Sequence, residues 1–455
     1  MKKIIFILVI ILIIPFYIYS EESEQDEEEE IRSIVDVWKD VLLYGIDSEV
    51  LETIVAIRSA EETSLNNELA MIFAESYNLE VRKSVISYFQ LIEYEGIIPQ
   101  AEAILENHED ENKDIIIAIL YYLSHMEAET DQELLKELID DSNAGISTAA
   151  LKVISTGPYS DSEKVEISLY LIEKLEDSKF NEDVKPEIII ALGELGCFES
   201  VDKLLEIVED TYEEKILRMY AADALGKIGD VRAVPALKEI FSEQDALLKA
   251  YAASALSNFD AEGVVDILMQ GLRDSNWRVR LTAAKGLGEI GATEALDILI
   301  YKAKNDPENV VKMEAITAIG KLGVSEAYDF IREVYADDYR ALDIRSHCLE
   351  VLIENDLSNS INSIKELVEK ELVSSLTQGK ILEITANQIF TVESSELKDI
   401  FALLINSTNL NVRLAAIRGI ANNRYSDLKD TLETLSEEDP ASVIKETAIA
   451  ELENW

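Results

Sequence analysis

The sequence predicts an all-α fold, a right-handed α-solenoid (α-α superhelix) in which about thirteen two-helix units stack in line. Three observations carry that expectation. The first is a small-residue string that recurs as ALGELG (191–196), ALGKIG (224–229), GLGEIG (286–291) and AIGKLG (318–323), with ALSNFD (255–260) as a degraded copy. Its third position steps through 193, 226, 257, 288 and 320. The second is a column of an aliphatic residue followed by a base: Val81-Arg82, Val184-Lys185, Leu217-Arg218, Leu248-Lys249, Val279-Arg280, Val311-Lys312, Ile344-Arg345, Val412-Arg413 and Ile444-Lys445. Leu51, Lys113, Ser147 and Lys380 complete a register of thirteen units spaced 31 to 38 residues apart, and eleven of the thirteen places are basic. The third is periodicity: Val279, Ala283, Leu287 and Ile290 recur at helical spacing before Gly291.

In chain order, Lys2 and Lys3 precede an unbroken apolar run from Ile4 to Ile14, then Pro15 and a short tail ending in Ser20. This reads as a secretory signal peptide over 1–20, because a bilayer span takes about 20 apolar residues. An uncleaved N-terminal anchor is the alternative reading of the same letters. Residues 21–30 contain eight acids and read as a solvated, disordered spacer, since charges this dense repel. The solenoid is expected over 31–455, with its first helix beginning near Ile31. The widest step of the register, from Ser147 to Lys185, contains Gly157-Pro158 and is expected to hold a longer loop.

GLGEIG also spells the G-x-G-x-x-G fingerprint of a dinucleotide-binding turn. That motif must follow a strand and open a helix. Here the glycines close a helical pattern, where Gly supplies a left-handed cap. Gly286 reads as a position that is Ala in the neighbouring units. One unit illustrates the expected anatomy. Its first helix falls within Asp230–Phe241, with Pro235 near the start, where a missing N–H costs little. Its second helix spans about Leu248 to Leu256.

The string from Asp274 to Gly291 and its neighbour from Leu217 to Gly229 resemble HEAT repeats, in the short bacterial form also found in phycobilin lyases. The match is strong from about Val184 to Gly323 and degenerate but in register on either side. The resemblance implies a ladder between an acid in the turn and the base that opens the second helix. Asp141, Asp274, Asp306 and Asp439 stand six residues before a ladder position, as does Glu243. Tyr212, Tyr339 and Lys179 depart from the pattern, so the ladder should break there. The lyase likeness raises a chromophore or small-molecule lyase as an alternative, but the shared letters are scaffold and not a catalytic set.

In such a stack the second helices line the concave side. Positions two, five and nine after the ladder residue should face outward. From these rows the partner-binding candidates are Tyr220, Tyr251, Lys285, Glu289, Glu314, Lys321 and His347. Trp277, with Arg273, Arg278 and Arg280, forms a basic-aromatic cluster expected in a turn and read as core cover. Trp38 and Trp455, in the first and last helices, should cap the open ends of the core.

The formal net charge of −49, from 41 bases and 90 acids, disfavours nucleic acid and anionic membranes, whose phosphates need Lys and Arg. Protein partners, cationic ones included, remain, as does diffuse cation or calcium binding. No nucleophile, phosphate-loop or zinc motif occurs, and His108, His125 and His347 lack metal-ligand spacing. No catalytic residue, metal or cofactor is expected. Cys197 and Cys348 lie several units apart and should be free, buried thiols. The expected function is an exported, periplasmic or cell-envelope, non-catalytic scaffold that binds protein along its concave face.

Overall fold

The structure, a computed structural model, describes residues 33–373 and 379–455. The expected signal and acidic spacer, 1–20 and 21–30, lie outside the described residues. Among the described residues all regular structure is helical. The chain divides into two compact units, Met1–Ala101 and Glu102–Trp455.

The first unit holds α1 (Ile34–Tyr44), α2 (Asp47–Ala60), α3 (Asn66–Glu75) and α4 (Leu79–Leu91), and it ends inside α5 (Ile98–Leu105). Ser33 opens α1 with a capping box to Asp36, satisfying two backbone N–H groups that a helix start leaves orphaned. Ile54, Ile57, Leu69, Phe73, Val85 and Phe89 are fully or almost fully buried between these helices. Trp38 is buried on α1, as expected of a residue covering the first pair.

The second unit continues with α6 (Lys113–His125), α7 (Gln132–Ile139), α8 (Ala144–Thr156), α9 (Asp161–Glu176), α10 (Lys185–Leu195), α11 (Val201–Glu209), α12 (Lys215–Ile228), α13 (Val234–Phe241), α14 (Ala246–Leu256), α15 (Val264–Gly271), α16 (Trp277–Ile290), α17 (Leu296–Asn305) and α18 (Asn309–Lys321). It closes with α19 (Ser325–Ala336), α20 (Leu342–Val373), α21 (Lys380–Ile389), α22 (Lys398–Leu404), α23 (Leu410–Asn422), α24 (Lys429–Glu438) and α25 (Ser442–Glu453). Every ladder position from Leu51 to Lys445 falls within the first five residues of a second helix. One boundary between units lies inside a helix: the 32-residue α20 contains the non-helical Asp356, which ends one unit's second helix and starts the next unit's first. Arg332, Asn359 and Ser360 all donate to the Asp356 carboxylate and hold that kink.

Three expectations are corrected here. The wide step between Ser147 and Lys185 lengthens a helix rather than a loop: α9 has 16 residues, against 8 in α7 and 9 in α11. Its apolar spacing over Ile167, Leu171 and Leu175 keeps a buried stripe, so the extra turns remain helical. Trp277 is the first residue of α16 and not part of a turn, because Asn276 caps the helix through the Arg278 N–H. Trp455 lies just beyond α25, where the Lys429 ammonium sits 5.5 Å from its ring.

The glycine column holds consecutive second helices close together. A Cβ on Gly193 would lie 2.8 Å from Ala224 Cα, one on Gly226 2.7 Å from Ala255 Cα, and one on Gly288 2.7 Å from Ala318 Cα. Each interface thus sets a Gly eight residues past one ladder position against an Ala six residues past the next. The degraded copy reverses the arrangement. Ser257 takes the Gly place, and Gly286 takes the Ala place opposite it, where a Cβ would come 2.9 Å from Ser257 Cβ. Gly286 is therefore required by its neighbour, which corrects its reading as an ordinary Ala position. The final glycines play a separate role: Gly196, Gly229, Gly291 and Gly323 have φ of 69–74° and cap their helices in the left-handed conformation.

The ladder connects successive units, as the resemblance implied. Arg280 donates to both carboxylate oxygens of Asp306 at 2.8 Å and to the Asp274 and Ser275 carbonyls at 3.0 Å. Arg218 reaches Glu243, Lys249 reaches Asp274, and Arg413 reaches Asp439. Arg218 and Arg413 also donate to the carbonyls of Val208 and Ile405, near the ends of the first helices of their own units. The breaks fall where expected: Tyr212 and Tyr339 are fully exposed, while Lys185 pairs with Glu182 and Lys312 turns to Asn309. Cys197 and Cys348 are free and buried, and burial pushes the Cys348 thiol up to about 12, with Arg340 and Arg345 pulling the other way.

Two outcomes test these interfaces. Gly286→Ala should destabilise the protein by about 1–3 kcal/mol through overpacking, while the pair Ser257→Gly with Gly286→Ala should recover most of the loss, giving a coupling of about 1 kcal/mol in urea unfolding. Burial opposes the charge on Asp306, but its bonds from Arg280 and the Glu308 N–H outweigh that and hold its carboxyl below the usual range. A depressed folded-state pKa means the rung stabilises above the unfolded value of about 3.9 and is lost as pH falls through the folded one. The gap in thermal midpoint between the native chain and Asp306→Asn should therefore be wide at pH 7 and close progressively below about pH 4.

Candidate functional site

Along α12, α14, α16, α18 and α20 the register sorts each second helix into buried and exposed rows. The position seven past the ladder residue is fully buried on each of them: Leu225, Leu256, Leu287, Ile319 and Leu352. The rows five and nine past it are largely open, with Lys227, Ser254, Asn258, Lys285, Glu289, Lys321, Glu350 and Glu354 exposed. The row two past it differs from expectation. Tyr220, Tyr251, Thr282, Glu314 and His347 are half-buried, because the close approach of neighbouring second helices covers their lower parts.

The seven candidates fall into two groups. Tyr220 and Tyr251, on consecutive second helices, meet edge to face with ring centroids 6.3 Å apart. Burial raises the Tyr251 phenol, helped by Tyr220 and Asp223. Lys227 closes the neighbouring gap, with its ammonium 3.1 Å from Asp223 and 2.9 Å from Glu194.

The second group surrounds Glu314. Burial raises its carboxyl; Lys321 and Lys285 oppose that rise, Glu289 adds to it and His347 opposes it. The Glu314 carboxylate makes no hydrogen bond among the described residues, so it is a half-desolvated group among charges from three successive second helices. Lys285 lies 3.7 Å from Glu289, and Lys321 has no ion-pair partner among the described residues. His347 is more embedded than its row suggested. Its Nε2 lies 2.8 Å from Thr317 Oγ1 and 3.1 Å from the Met313 carbonyl, and its Nδ1 lies 3.0 Å from Glu350.

Sequence reasoning missed Thr317 and Gln388 as members of this surface. Gln388 donates to Ser346 and to Glu350 at 2.9 Å, tying α21 to α20. It stands eight residues past Lys380, in a column that is Gly or Ser in the central units but Ile353, Tyr121 and Gln90 elsewhere, so the sequence carries no distinct signal for it.

Chemically, this face offers mixed charge, two partly open phenols and hydrogen-bonding groups in register, the features of a polar recognition surface. Among the described residues no group of three or more His, Cys, Asp or Glu is arranged to hold a metal ion, and no helix is long and apolar enough to cross a membrane.

Residues 42–451 match a family model described as spirochaete HEAT repeat protein. Among curated proteins no sequence match is found. Among solved structures, yeast importin-beta (Kap95p) is similar over 92% of this chain and 64% of its own, with 15% identity and a TM-score of 0.54. A chain of the Kap95:Nup1 complex is similar over 91% of this chain and 66% of its own, with 14% identity and a TM-score of 0.53. The chain thus spans about two thirds of these importin chains. The CpcE–CpcF complex of phycocyanin lyase from Nostoc sp. PCC7120 matches over 53% of this chain and 95% of that one, at 18% identity and a TM-score of 0.34, too low to carry an argument. Identities this low show the fold alone.

The raised carboxyl of Glu314 gives a test of the site. A folded-state pKa above the unfolded one means that the charged form costs stability at neutral pH and that the cost vanishes once pH falls below both values. Glu314→Gln should raise the thermal midpoint at pH 7, with the gain shrinking to nothing below about pH 4, where a free Glu is itself largely protonated.

Proposed function

Since the chain belongs to the spirochaete HEAT repeat proteins, we propose that it is a non-catalytic scaffold that binds a protein partner along the face of its second helices. The observation that carries this reading is the group around Glu314. Lys285, Glu289, Lys321 and His347, from three consecutive units, act on the half-buried Glu314 carboxylate. A partner meeting this face can make many modest contacts in register, which is how stacked repeats build extended binding surfaces. The importin fold supports the reading at the level of architecture, since Kap95 is seen in a complex with Nup1. We further propose an exported, cell-envelope location, supported by the apolar run at 4–14 and the acidic stretch that follows it.

The mixed charge of the face favours a specific partner over general attraction of cations. With an excess of acids this large, a pure charge sponge would bind any basic protein and release it once salt shortens the Debye length. Binding to an envelope extract of the source cell at low salt and at about 0.3 M salt separates the two. The expected outcome is a stoichiometric partner retained at high salt and weakened about tenfold or more by Tyr251→Ala or Lys285→Glu. Capture of basic proteins alone, all released by salt and indifferent to both substitutions, would sink the scaffold reading.

A further inference from the structure

The C-terminal units hold a second feature on the same outward rows, with Arg418 and Asn422 five and nine past Arg413 and Asn454 nine past Lys445; it rests on other residues than the group around Glu314 and is tested with small probes, so its failure and that of the scaffold reading are distinguishable. A cleft of about 400 Å³ opens beside the C-terminal parts of α21, α23 and α25. Arg418, Arg424, Asn422, Asn454, Phe390 and Glu451 are among the residues that line it. Its position follows from the register. Six residues past the central ladder positions stand Ala224, Ala255, Gly286 and Ala318, small residues that let neighbouring second helices close up, and past Arg345 stands Val351; in the last unit the same place is Glu451, which lines the cleft.

Its two arginines belong to the minority of described bases without a partner, which Arg58 and Arg273 share. With 90 acids against 41 bases, most described Lys and Arg side chains are engaged by a carboxylate, a carbonyl or an aromatic ring. Both guanidiniums in the cleft are exposed, and among the described residues neither forms an ion pair or a side-chain hydrogen bond, with Glu451 or with any helix carbonyl. They are therefore used neither as ladder rungs nor as helix caps. Arg424 also sits at a costly backbone position. Its φ is 47°, in the left-handed region, and the same register place is Gly196, Gly229, Gly291 and Gly323 in four other units, although Glu93 also adopts it.

We infer that this cleft binds a peptide carboxylate, held between the Arg418 and Arg424 guanidiniums. Guanidinium forks match a planar carboxylate, and here they have no competing partner to displace. Asn422 and Asn454 offer donors and acceptors to the adjoining amides, Phe390 offers an apolar wall, and Glu451 can accept an amide N–H. Glu451 also sets the charge preference, since a carboxylate placed near an opposing acid is repelled less than a dianionic phosphate.

The test is calorimetric titration of the purified protein with four probes. N-acetyl-alanyl-alanine carries only a terminal carboxylate, N-acetyl-glutamic acid α-amide only a side-chain carboxylate, N-acetyl-alanyl-alanine amide neither, and inorganic phosphate is the competing anion. Saturable binding of either carboxylate, at least about tenfold tighter than the amide and weakened about tenfold by Arg418→Gln, is the expected result; which of the two binds identifies the source of the carboxylate. Arg424→Gly guards against misfolding, because Gly is native to that place in four units. It should keep or raise the thermal midpoint while losing the carboxylate. Tighter binding of phosphate, equal binding of the amide, or an Arg424→Gly protein that loses stability yet binds as before would each overturn the inference.

Discussion

The distance between neighbouring second helices is the constraint on which the rest of this structure depends. It is set by small residues, a Gly facing an Ala across three of the central interfaces, with hypothetical Cβ positions within 3 Å of the next backbone. At that separation each helix buries its leucine column against the next. The base that opens one second helix can then reach the acid in the following turn, 25 or 26 residues on. The interface of Ser257 with Gly286 shows that the total volume matters and not the identity of either side. When one side gains a hydroxymethyl group the other loses its methyl, as expected of an interior packed near crystal density.

The ladder is a second consequence of that spacing. A buried pair such as Arg280 with Asp306 contributes little net stability unless nearly every polar atom is satisfied. Here the guanidinium also serves carbonyls in the turn, and the Asp carboxylate also accepts the Glu308 N–H. The rung thus replaces several contacts with water at once. Where the acid is missing, at Tyr212 and Tyr339, the bases find local partners instead, and those tyrosines point fully into solvent.

Charge scarcity links the scaffold to its surfaces. Most of the bases are engaged in the ladder or in pairs along the first helices, so the positive charges left over carry more information than their number suggests. Lys321 beside Glu314 and the two arginines of the C-terminal cleft are such remainders. They lie on second helices or at their ends, where successive units bring side chains from distant parts of the chain into one row.

The sequence by itself determined the all-α class, the register of thirteen units, the left-handed glycine caps, the ladder with its two breaks at tyrosine, and the buried, unpaired cysteines. Each of these rests on a periodic signal or on backbone chemistry that is local to one unit. Tertiary structure alone decided what depends on two units at once. Gly286 looked like an isolated exception until Ser257 was seen facing it. The row of Tyr220, Tyr251, Glu314 and His347 looked exposed until the neighbouring helices covered it. The extra residues before Lys185 looked like loop until their apolar spacing found a surface to bury against. The cleft at Arg418 and Arg424 has no sequence motif, since its lining comes from the ends of three helices in successive units. Helical periodicity reports which face of a helix is apolar, but how much of the other face a neighbour covers is set by the distance between helices, which one residue on each side controls.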